Sequence, residues 1–417
     1  MRSIMHIDAN SAYLSWTALS LLEQGHQTDY RRVPAVVAGD PNNRHGIILA
    51  ASIPAKKQFG IRTAMTLHEA KQRCGDLIVL KPDYDLYVRY SRSMYEILCD
   101  FSPAVERYSI DECYLDYSAS RRLFGDPEEA AYKLKDRIQT ELGFTVNVGV
   151  SVNKLLAKMG SELEKPNKVH TLYPSEMAMK MWPLDVQELF YCGRATAAKL
   201  RRVGINTIGE IAGSDLATIQ ALLKPAHGLL IHNYANGIDD SPVVPAQDLE
   251  IQKGVGNATT LPRDVKSKRE IYDVLLALSE RVGARLRKLN RSAQLIGLTL
   301  RSADLAWYQH QSMLDEPIST TQQIYEEAKR LFGDMWKGEP IRQLGIRLAE
   351  LCLPTNMQLS IFEDTETNKQ RAIDSTLDTI RSIYGSEAIM RGTLLNVDLP
   401  VALGDADDDG AYLMMGI

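Results

Sequence analysis

Apolar positions up to Pro166 switch repeatedly between strand-length runs and helical spacing. Runs of about four to eight residues rich in β-branched and aromatic side chains predict strands, and apolar residues three or four positions apart predict helices. The predicted strands are 3–8, 33–39, 45–52, 105–110, 113–117 and 144–151. The predicted helices are 11–25, 66–73, 84–101, 126–143 and 152–165. This order predicts an α+β layer in which helices pack on a mixed or antiparallel sheet.

The pattern changes twice in the rest of the chain. Residues 185–240 have the spacing of short helices joined by glycine turns, whereas 243–264 lacks periodicity and predicts a loop. Beyond this loop we expect a second small α+β unit. Its elements are a helix at 270–290, a strand at 295–302, a helix at 319–332 and a strand at 340–351, with helical spacing again at 365–384.

Length and composition define a broad class of protein. The 417 residues exceed one ordinary core and predict two to four domains. No stretch approaches the roughly 20 apolar residues of a membrane span, and Asp8 interrupts any signal-peptide pattern at the start. The five cysteines are scattered without a paired motif, which favours a reducing cytosol over a zinc site or a disulfide framework. We therefore expect a cytoplasmic protein that has no contact with a membrane.

Charge is distributed unevenly along the chain. The net charge of −5 would not by itself indicate a nucleic-acid-binding protein. Residues 253–301, however, hold eleven lysines and arginines against four acids, an excess of seven positive charges, and the segment 405–409 holds four aspartates. Clustered basic residues are the footprint of nucleic-acid binding, although a solvated basic helix face would explain the same composition.

Two neighbouring carboxylates, Asp111 and Glu112, interrupt the sheet-like stretch YSIDECYLD. One interpretation is a solvated turn, since burying unpaired acids costs on the order of several kcal/mol each. The other is a divalent metal held by oxygen ligands, because the order of elements can bring Asp8 beside this pair. Three convergent acids without histidine or cysteine suit magnesium, and they suit a two-metal site for displacement at phosphorus. A structural acid cluster at a sheet edge is the alternative.

The motifs around these acids resemble those of the Y-family DNA polymerases, the lesion-bypass class, and are close to the DNA polymerase IV branch. HIDANSAY at 6–13 resembles the family's first metal motif, and YSIDECYLD at 108–116 resembles its S-x-D-E motif. Either motif alone is a weak signal, but the two together in this order are specific. The resemblance covers nearly the whole chain.

The resemblance implies a catalytic set. Asp8, Asp111 and Glu112 would be the catalytic acids and would hold two Mg²⁺ ions, for which Mn²⁺ can substitute. The main-chain carbonyl of Ala9 would be a further metal ligand. Tyr13 would be the aromatic gate that excludes a 2′-hydroxyl, although a tyrosine on a first helix is more often a core residue.

The resemblance also implies a right-hand α+β architecture. We expect a palm with a ferredoxin-like sheet, small fingers, a helical thumb with a helix-hairpin-helix, and an α+β little finger. The expected boundaries are 1–33 and 74–165 for the palm, 34–73 for the fingers, 166–240 for the thumb, 241–252 for a linker, 253–354 for the little finger and 355–417 for a tail.

The segment ASIPAKKQFGI at 51–61 resembles the fingers segment that supplies a tyrosine and an arginine to the triphosphate. Counting without gaps puts Lys57 in the arginine position and Pro54 in the tyrosine position. Allowing one insertion puts Lys56 and Ile53 there instead. In both alignments the tyrosine is missing and a lysine replaces the arginine, which removes the bidentate guanidinium geometry.

Two further motifs are similar to phosphate-binding parts of the family. EKPN at 164–167 resembles the lysine-proline-asparagine motif, so Lys165 is expected to bind the triphosphate. LFYCGRATAAKL at 189–200 resembles the thumb's helix-hairpin-helix, in which Gly193 would contact the DNA backbone. Tyr191 stands where that motif usually has its first glycine, and a hairpin that serves only packing is the alternative.

Two segments near the end of the chain complete the resemblance. KGVGNATTLPRD at 253–264 is typical of the opening of the little finger, where Lys253 and Arg263 are expected to contact DNA phosphates. QLSIF at 358–362 resembles the peptide that bacterial polymerases insert into the sliding clamp. The expected clamp contacts are Gln358, Leu359, Ile361 and Phe362.

The sequence therefore predicts a monomeric DNA polymerase that extends primer–template DNA with deoxynucleoside triphosphates. Error-prone translesion synthesis without proofreading is implied by the resemblance. One alternative is an inactive accessory protein that binds DNA and clamp, but such a relative would be expected to lack one of the three acids. Another is a nucleotidyl cyclase on a similar palm, in which the basic segment and QLSIF would have no role.

Overall fold

The computed structural model describes residues 2–39, 46–245, 252–354, 365–385 and 388–394. The described residues up to 245 form one compact unit, and those from 252 onward form a second. Both units combine helices with β-sheets, so the predicted α+β class is confirmed. Within the described ranges, no helix is both long and apolar enough to cross a membrane.

The first unit contains eight strands and twelve α-helices. The strands are β1 (Ile4–Ala9), β2 (Ala35–Ala38), β3 (Ile48–Ala51), β4 (Ile78–Leu80), β5 (Val105–Arg107), β6 (Glu112–Asp116), β7 (Val146–Ser151) and β8 (Val169–Thr171). The helices are α1 (Ala12–Glu23), α2 (Ile53–Phe59), α3 (Leu67–Arg73), α4 (Tyr84–Cys99), α5 (Arg121–Phe124), α6 (Pro127–Leu142), α7 (Lys154–Glu162), α8 (Met177–Lys180), α9 (Arg194–Arg202), α10 (Ile208–Ala212), α11 (Leu216–Leu223) and α12 (Pro225–Ala235). Short 3₁₀ turns lie at Pro174–Glu176 and Val186–Glu188.

A five-stranded sheet in the order β5-β6-β1-β7-β8 lies at the centre of this unit. The buried strand β1 pairs antiparallel with β6 on one side and with β7 on the other. The outer strand β5 is antiparallel to β6, whereas β8 is parallel to β7. Since β1 is central, residues at its end have strand neighbours on both sides.

The two faces of the sheet differ because side chains alternate along a strand. On one face Met5, Ile7 and Val148 join the main apolar core, together with residues of α4 and α6. The opposite face carries His6, Asp8 and Asn147, and helix α7 packs against it. The polar face is therefore a protein-covered surface rather than a solvent-exposed one.

Helix α7 lies very close to the sheet at Gly149, which is opposite His6 on β1. A Cβ atom at Gly149 would lie 1.9 Å from the main-chain oxygen of Ala157 and 2.5 Å from the nitrogen of Ser161. No side chain fits there, so glycine is required for this approach. Asn153 caps the helix by accepting a hydrogen bond from the N–H of Leu156 at 2.8 Å.

The rest of the first unit adds a small sheet and a helical layer. The small sheet has the order β3-β2-β4 and packs with α2 and α3 around its own apolar cluster. Helices α8 to α12 share a separate apolar cluster with the start of α7. The small sheet extends to Leu80, past the expected end of the fingers at 73, and β8 joins the large sheet beyond residue 165.

The second unit is a four-stranded antiparallel sheet with helices. Its strands are β9 (Gly254–Val265), β10 (Ser292–Ser302), β11 (Trp307–Ile318) and β12 (Ile341–Cys352), in the order β11-β10-β12-β9. Its helices are α13 (Lys268–Lys288), α14 (Thr321–Met335) and α15 (Thr365–Tyr384), followed by a 3₁₀ turn at Gly392–Leu394. The first two helices and the sheet share one core. Asp374 on α15 is buried and accepts a hydrogen bond from the N–H of Thr321 at 2.7 Å, which fixes α15 to α14.

The structure corrects three sequence predictions of secondary structure. The predicted loop at 243–264 is wrong for its second half, because β9 pairs with β12 there despite its polar, glycine-containing sequence. The strand β11 was not predicted, since an edge strand exposed over most of its length shows no apolar alternation. Helix α7 ends at Glu162 rather than at the residue before Pro166. In contrast, the helix at 126–143 is confirmed, with its Asp126 cap.

Candidate active site

The predicted acids lie at the ends of two paired strands. Asp8 and Glu112 are register partners on β1 and β6, which confirms the proximity inferred from the order of elements. Asp111 precedes β6, and its main-chain oxygen accepts a hydrogen bond from the N–H of Ala9 at 3.0 Å. Its Oδ1 accepts a hydrogen bond from the Ser109 hydroxyl at 2.8 Å. The two short motifs around these acids are therefore joined directly by their backbones.

A further acid lies in this cluster. Asp8, Glu112 and Glu162 each place one carboxylate oxygen within 4.8 Å of the other two. Glu162 is exposed at the end of α7, and sequence reasoning did not single it out. Converging carboxylate oxygens are the donor set that a hard divalent cation prefers, so these side chains fit such an ion.

Asp8 is buried and Asp111 is half-buried, and the charge of neither is fully compensated. Burial raises the pKa of Asp8 to about 7; Lys165 opposes this effect and Glu162 reinforces it. Burial also raises the pKa of Asp111, although the hydrogen bond from Ser109 opposes the rise. Both shifts mean that the ionised carboxylates are destabilised where they lie, and a bound cation would stabilise them.

Glu112 differs from the other two acids because it has two close donors. Its Oε2 lies 3.2 Å from His6 Nε2 and 2.5 Å from Lys158 Nζ. Burial acts to raise the pKa of Glu112, but these two partners outweigh it and hold the pKa at about 2. His6 is completely buried, and burial lowers its pKa. Glu112 is therefore an anion throughout the neutral pH range.

Lys158 and His6 are functional candidates that sequence reasoning missed. Lys158 is 9% exposed, and its ammonium lies 5.7 Å from the ring centre of Tyr108 and 5.2 Å from that of Phe190. One signal for Lys158 was its helical spacing from Glu162, which puts both on one face of α7. The signal for His6 was its position two residues before an acid on a strand, which places both side chains on the same face.

The structure distinguishes between the two lysines of the fingers segment. Lys56 Nζ donates a hydrogen bond to Ser11 Oγ at 2.8 Å, and Ser11 lies within the first acid motif, three residues after Asp8. Desolvation lowers the pKa of Lys56, Lys165 lowers it further, and Asp8 opposes the shift. These interactions place the charge of Lys56, rather than that of its neighbour Lys57, at the acid cluster.

Lys165 is directly paired with the cluster. Its Nζ lies 3.2 Å from Asp8 Oδ2 and donates a hydrogen bond to Glu162 Oε1 at 2.8 Å. Burial acts to lower the pKa of Lys165, but Asp8 and Glu162 outweigh it, so the pKa is raised. The predicted triphosphate lysine is therefore a charged neighbour of the first predicted metal ligand.

Tyr13 lies in an aromatic group beside the acids. Its ring stacks on Tyr87 with 4.3 Å between centres and lies edge-on to Tyr84 at 6.3 Å. Burial raises the pKa of Tyr13, and the charge of Asp111 reinforces the effect. The ring is half-buried, so Tyr13 is packed against other aromatic residues and still partly exposed.

The predicted hairpin at 189–200 has a left-handed backbone at a tyrosine. Tyr191 has a φ of 66°, in the left-handed region that glycine favours, and Gly193 is the N-cap of α9. The Tyr191 ring is half exposed and packs on Phe190 at 4.5 Å and on Tyr234 at 6.1 Å between ring centres. Tyr191 therefore adopts a backbone conformation that favours glycine, at the position where the resemblance places the first glycine of the hairpin.

The remaining predicted DNA contacts lie in the second unit. Arg263 on β9 is exposed and pairs with Glu270 at 2.6 Å, and Lys253 directly precedes β9. The predicted clamp-binding segment 358–362 lies outside the described residues.

Comparison with known proteins gives consistent matches over both units. Residues 7–162 match the model of the impB/mucB/samB family, and residues 252–361 match the model of that family's C-terminal domain. A DNA polymerase IV of Clostridium acetobutylicum is 44% identical over 392 residues, 94% of this chain and 98% of the relative. DNA polymerase IV 2 of Bacillus subtilis is 37% identical over 402 residues and 94% of each chain. A solved Y-family DNA polymerase chimera has a TM-score of 0.71 at 22% identity, covering 84% of this chain and 99% of the chimera.

The fold is that of the solved Y-family polymerase chimera, and in this chain a carboxylate cluster lies at the end of the central strands. The extent and identity of the sequence matches are more specific than the fold. The chain belongs to the DNA polymerase IV family.

The position of Lys56 leads to a test of the fingers segment. We expect Lys56→Ala to raise the KM for deoxynucleotide about ten-fold, the loss expected for one charge-assisted contact, while Lys57→Ala changes it less than about two-fold. Steady-state single-nucleotide insertion on one primer–template measures both variants. Equal effects of the two substitutions would contradict the assignment of Lys56 as the lysine that faces the acids.

Proposed function

We propose that this chain is a template-directed DNA polymerase that adds deoxynucleotides to a primer 3′-hydroxyl during translesion synthesis, without proofreading. The observation that carries the proposal is the buried carboxylate cluster on β1 and β6, which lies beside Lys165 and Lys56 in a chain of the DNA polymerase IV family. An anionic, metal-dependent substrate suits this combination of buried acids and nearby ammonium groups. The inactive accessory protein is disfavoured because all three acids are present.

The acids would hold two divalent cations, with Mg²⁺ as the ordinary ion and Mn²⁺ as a substitute. Asp8, Asp111 and Glu112, with the carbonyl of Ala9, are the proposed ligands. When bound, such a pair of ions stabilises charge on the attacking and leaving oxygens of a phosphoryl transfer. The raised pKa of the two aspartates supports this proposal, since a cation would favour their ionised forms.

The lysines would bind the substrate's phosphates. Lys165 would contact the triphosphate from the 164–167 motif, and Lys56 would contact it from the fingers. A lysine ammonium acts as a point charge and not as a planar fork, so Lys56 would neutralise phosphate without the bidentate geometry of arginine. Ser11 would be the group that holds the Lys56 ammonium until a nucleotide arrives.

We assign the domains on the same basis. The palm would contain the five-stranded sheet, the fingers the three-stranded sheet, the thumb α8 to α12, and the little finger the second unit. Gly193 in the thumb and Lys253 and Arg263 in the little finger would contact DNA phosphates, so DNA binding should weaken with increasing salt. The protein would act in the cytoplasm as a monomer.

The metal ligands can be tested with isosteric substitutions. We expect Asp111→Asn with Glu112→Gln to lower the rate of primer extension at least about 100-fold, because the carboxylates lose the charge that holds the cations. Primer–template binding should stay near that of the wild type. Extension with Mg²⁺ and all four deoxynucleotides, beside a DNA-binding titration, measures both quantities.

A matched control is available on the same strand. Asp116→Asn changes an acid of β6 that pairs with Ile4, at the other end of the strand from the cluster, and should leave extension unchanged. Wild-type extension rates in the double variant would overturn the ligand assignment. Tight DNA binding by a wild-type protein that cannot extend a primer would favour the inactive accessory protein.

We propose that Tyr13 is the sugar gate, on the strength of its packed ring and its proximity to Asp111. Tyr13→Ala should increase ribonucleotide insertion relative to deoxynucleotide insertion at least about ten-fold, since the ring would no longer occupy the space of a 2′-hydroxyl. Tyr13→Phe keeps the ring and should stay selective. Insertion of matched ribo- and deoxynucleotides measures the ratio, and unchanged selectivity in the alanine variant would exclude the gate.

We also propose a sliding clamp as a partner, bound by Gln358, Leu359, Ile361 and Phe362. The support is the sequence QLSIF alone. Deleting 358–362 should abolish stimulation of synthesis by a bacterial sliding clamp and leave distributive synthesis without clamp intact, because the deletion removes none of the proposed metal or triphosphate ligands. Primer extension with and without clamp makes the comparison, and stimulation that survives the deletion would refute this contact.

A further inference from the structure

Two buried asparagines lie beneath the turn that carries Lys165. Asn147 on β7 is completely buried and is the register partner of Asp8, and Asn10 directly follows β1. The Nδ2 of Asn10 donates a hydrogen bond to the Oδ1 of Asn147 at 3.1 Å. We call these two residues the asparagine pair.

Asn147 binds the backbone on both sides of Lys165. Its Nδ2 donates hydrogen bonds to the carbonyl oxygens of Ser161 at 2.9 Å and Glu164 at 2.6 Å. Its Oδ1 accepts one from the N–H of Lys168 at 3.3 Å, in addition to the one from Asn10. Both hydrogens of this amide and its oxygen are therefore engaged.

Asn10 binds the same turn at Asn167, which lies between the Glu164 and Lys168 contacts of Asn147. Its Oδ1 accepts hydrogen bonds from the N–H of Asn167 and from the hydroxyl of Thr145, both at 2.9 Å. Asn167 has a φ of 60°, in the left-handed region, so the contact fixes a residue whose conformation is uncommon. The pair thus holds the backbone at 164, 167 and 168, immediately around Lys165.

These bonds constrain the position of the lysine. Buried amide groups are costly to leave without partners, so the turn cannot shift without breaking several buried hydrogen bonds at once. An aspartate would lack the donors at Asn147, and an apolar residue would lack both donors and acceptors. The side chain of Lys165 projects from the segment held in this way, and its Nζ lies 3.2 Å from Asp8 Oδ2.

We propose that Asn10 and Asn147 are positioning residues, which hold the 164–168 turn so that Lys165 is in place before a nucleotide binds. The proposal rests on the proposed role of Lys165 in triphosphate binding. It goes beyond that role because it assigns the geometry of the lysine to two side chains that act through the backbone.

A double-mutant cycle tests the proposal. Nucleotide dissociation constants are measured on the full chain with a dideoxy-terminated primer–template, so that no turnover contributes. We expect Asn147→Ala to weaken deoxynucleotide binding about ten-fold in the wild-type background and less than about two-fold in the Lys165→Ala background. Equal weakening in both backgrounds would overturn the proposal, since Asn147 would then act independently of Lys165.

Ser151→Ala is the matched control for general destabilisation. Ser151 is also buried on β7, and its hydroxyl donates a hydrogen bond to the carbonyl of Leu172 at 2.5 Å, so the substitution removes a similar bond elsewhere on the strand. It should leave nucleotide binding unchanged, and an effect equal to that of Asn147→Ala would overturn the proposal. If Lys165→Ala alone binds nucleotide normally while wild type extends primers, this inference fails and the polymerase function stands. A wild type that extends no primer would instead refute the proposed function.

A second measurement compares the wild type with Asn10→Ala, and its decisive result comes from the wild type alone. Hydrogen exchange in the wild type should show slowed exchange at the amides of Asn167 and Lys168, and Asn10→Ala should accelerate exchange at Asn167. Exchange at Asn167 in the wild type as fast as in an unstructured peptide would overturn the proposal, because the turn would not be held.

Discussion

The close contact between α7 and the central sheet at Gly149 determines the geometry of the site. An ideal Cβ at position 149 would lie 1.9 Å from the main-chain oxygen of Ala157, so the helix lies too close to the strand for any side chain there. This contact places Lys158 over Glu112 and brings the end of the helix beside Asp8. A side chain at position 149 would push α7 away from the sheet. Lys158 lies on this helix and Lys165 lies in the turn after it, so both lysines would move with the helix. The packing of α7 on the sheet therefore determines where the charged groups of the site lie.

The acids of the site differ in how far neighbouring positive charges stabilise their ionised forms. Glu112 has a histidine and a lysine on one oxygen, which hold its pKa at about 2. Asp8 is paired with Lys165, which Glu162 shares, and burial raises the pKa of Asp8 to about 7. With a pKa of about 7, Asp8 is only partly ionised near neutral pH, whereas Glu112 is fully ionised. A cation bound beside Asp8 would favour its ionised form.

Much of the fold could be predicted from the sequence, because the spacing of apolar residues indicates individual strands and helices. The alternation at 144–151 and the capped helix at 126–143 are local signals, and they predicted β7 and α6. The strand β9 could not be predicted, since its pairing with β12 overrides a polar sequence, and the edge strand β11 carries no alternation. The role of Lys158 and of the asparagine pair depends on contacts between residues distant in sequence, which no local pattern specifies.

Two departures from the family's motifs are accommodated by local structure rather than by loss of the site. Tyr191 adopts the left-handed backbone that a glycine would take, and its ring packs on Phe190 and Tyr234, so aromatic packing offsets the cost of the conformation. Lys56 and Lys57 are neighbours on α2, and it is the ammonium of Lys56 that contacts Ser11, beside the acids. The hydrogen bond from the Ala9 N–H to the Asp111 carbonyl and the contacts of the asparagine pair hold the segments that carry Asp8 and Lys165. The geometry of these two charged residues therefore depends on the backbone around the acids.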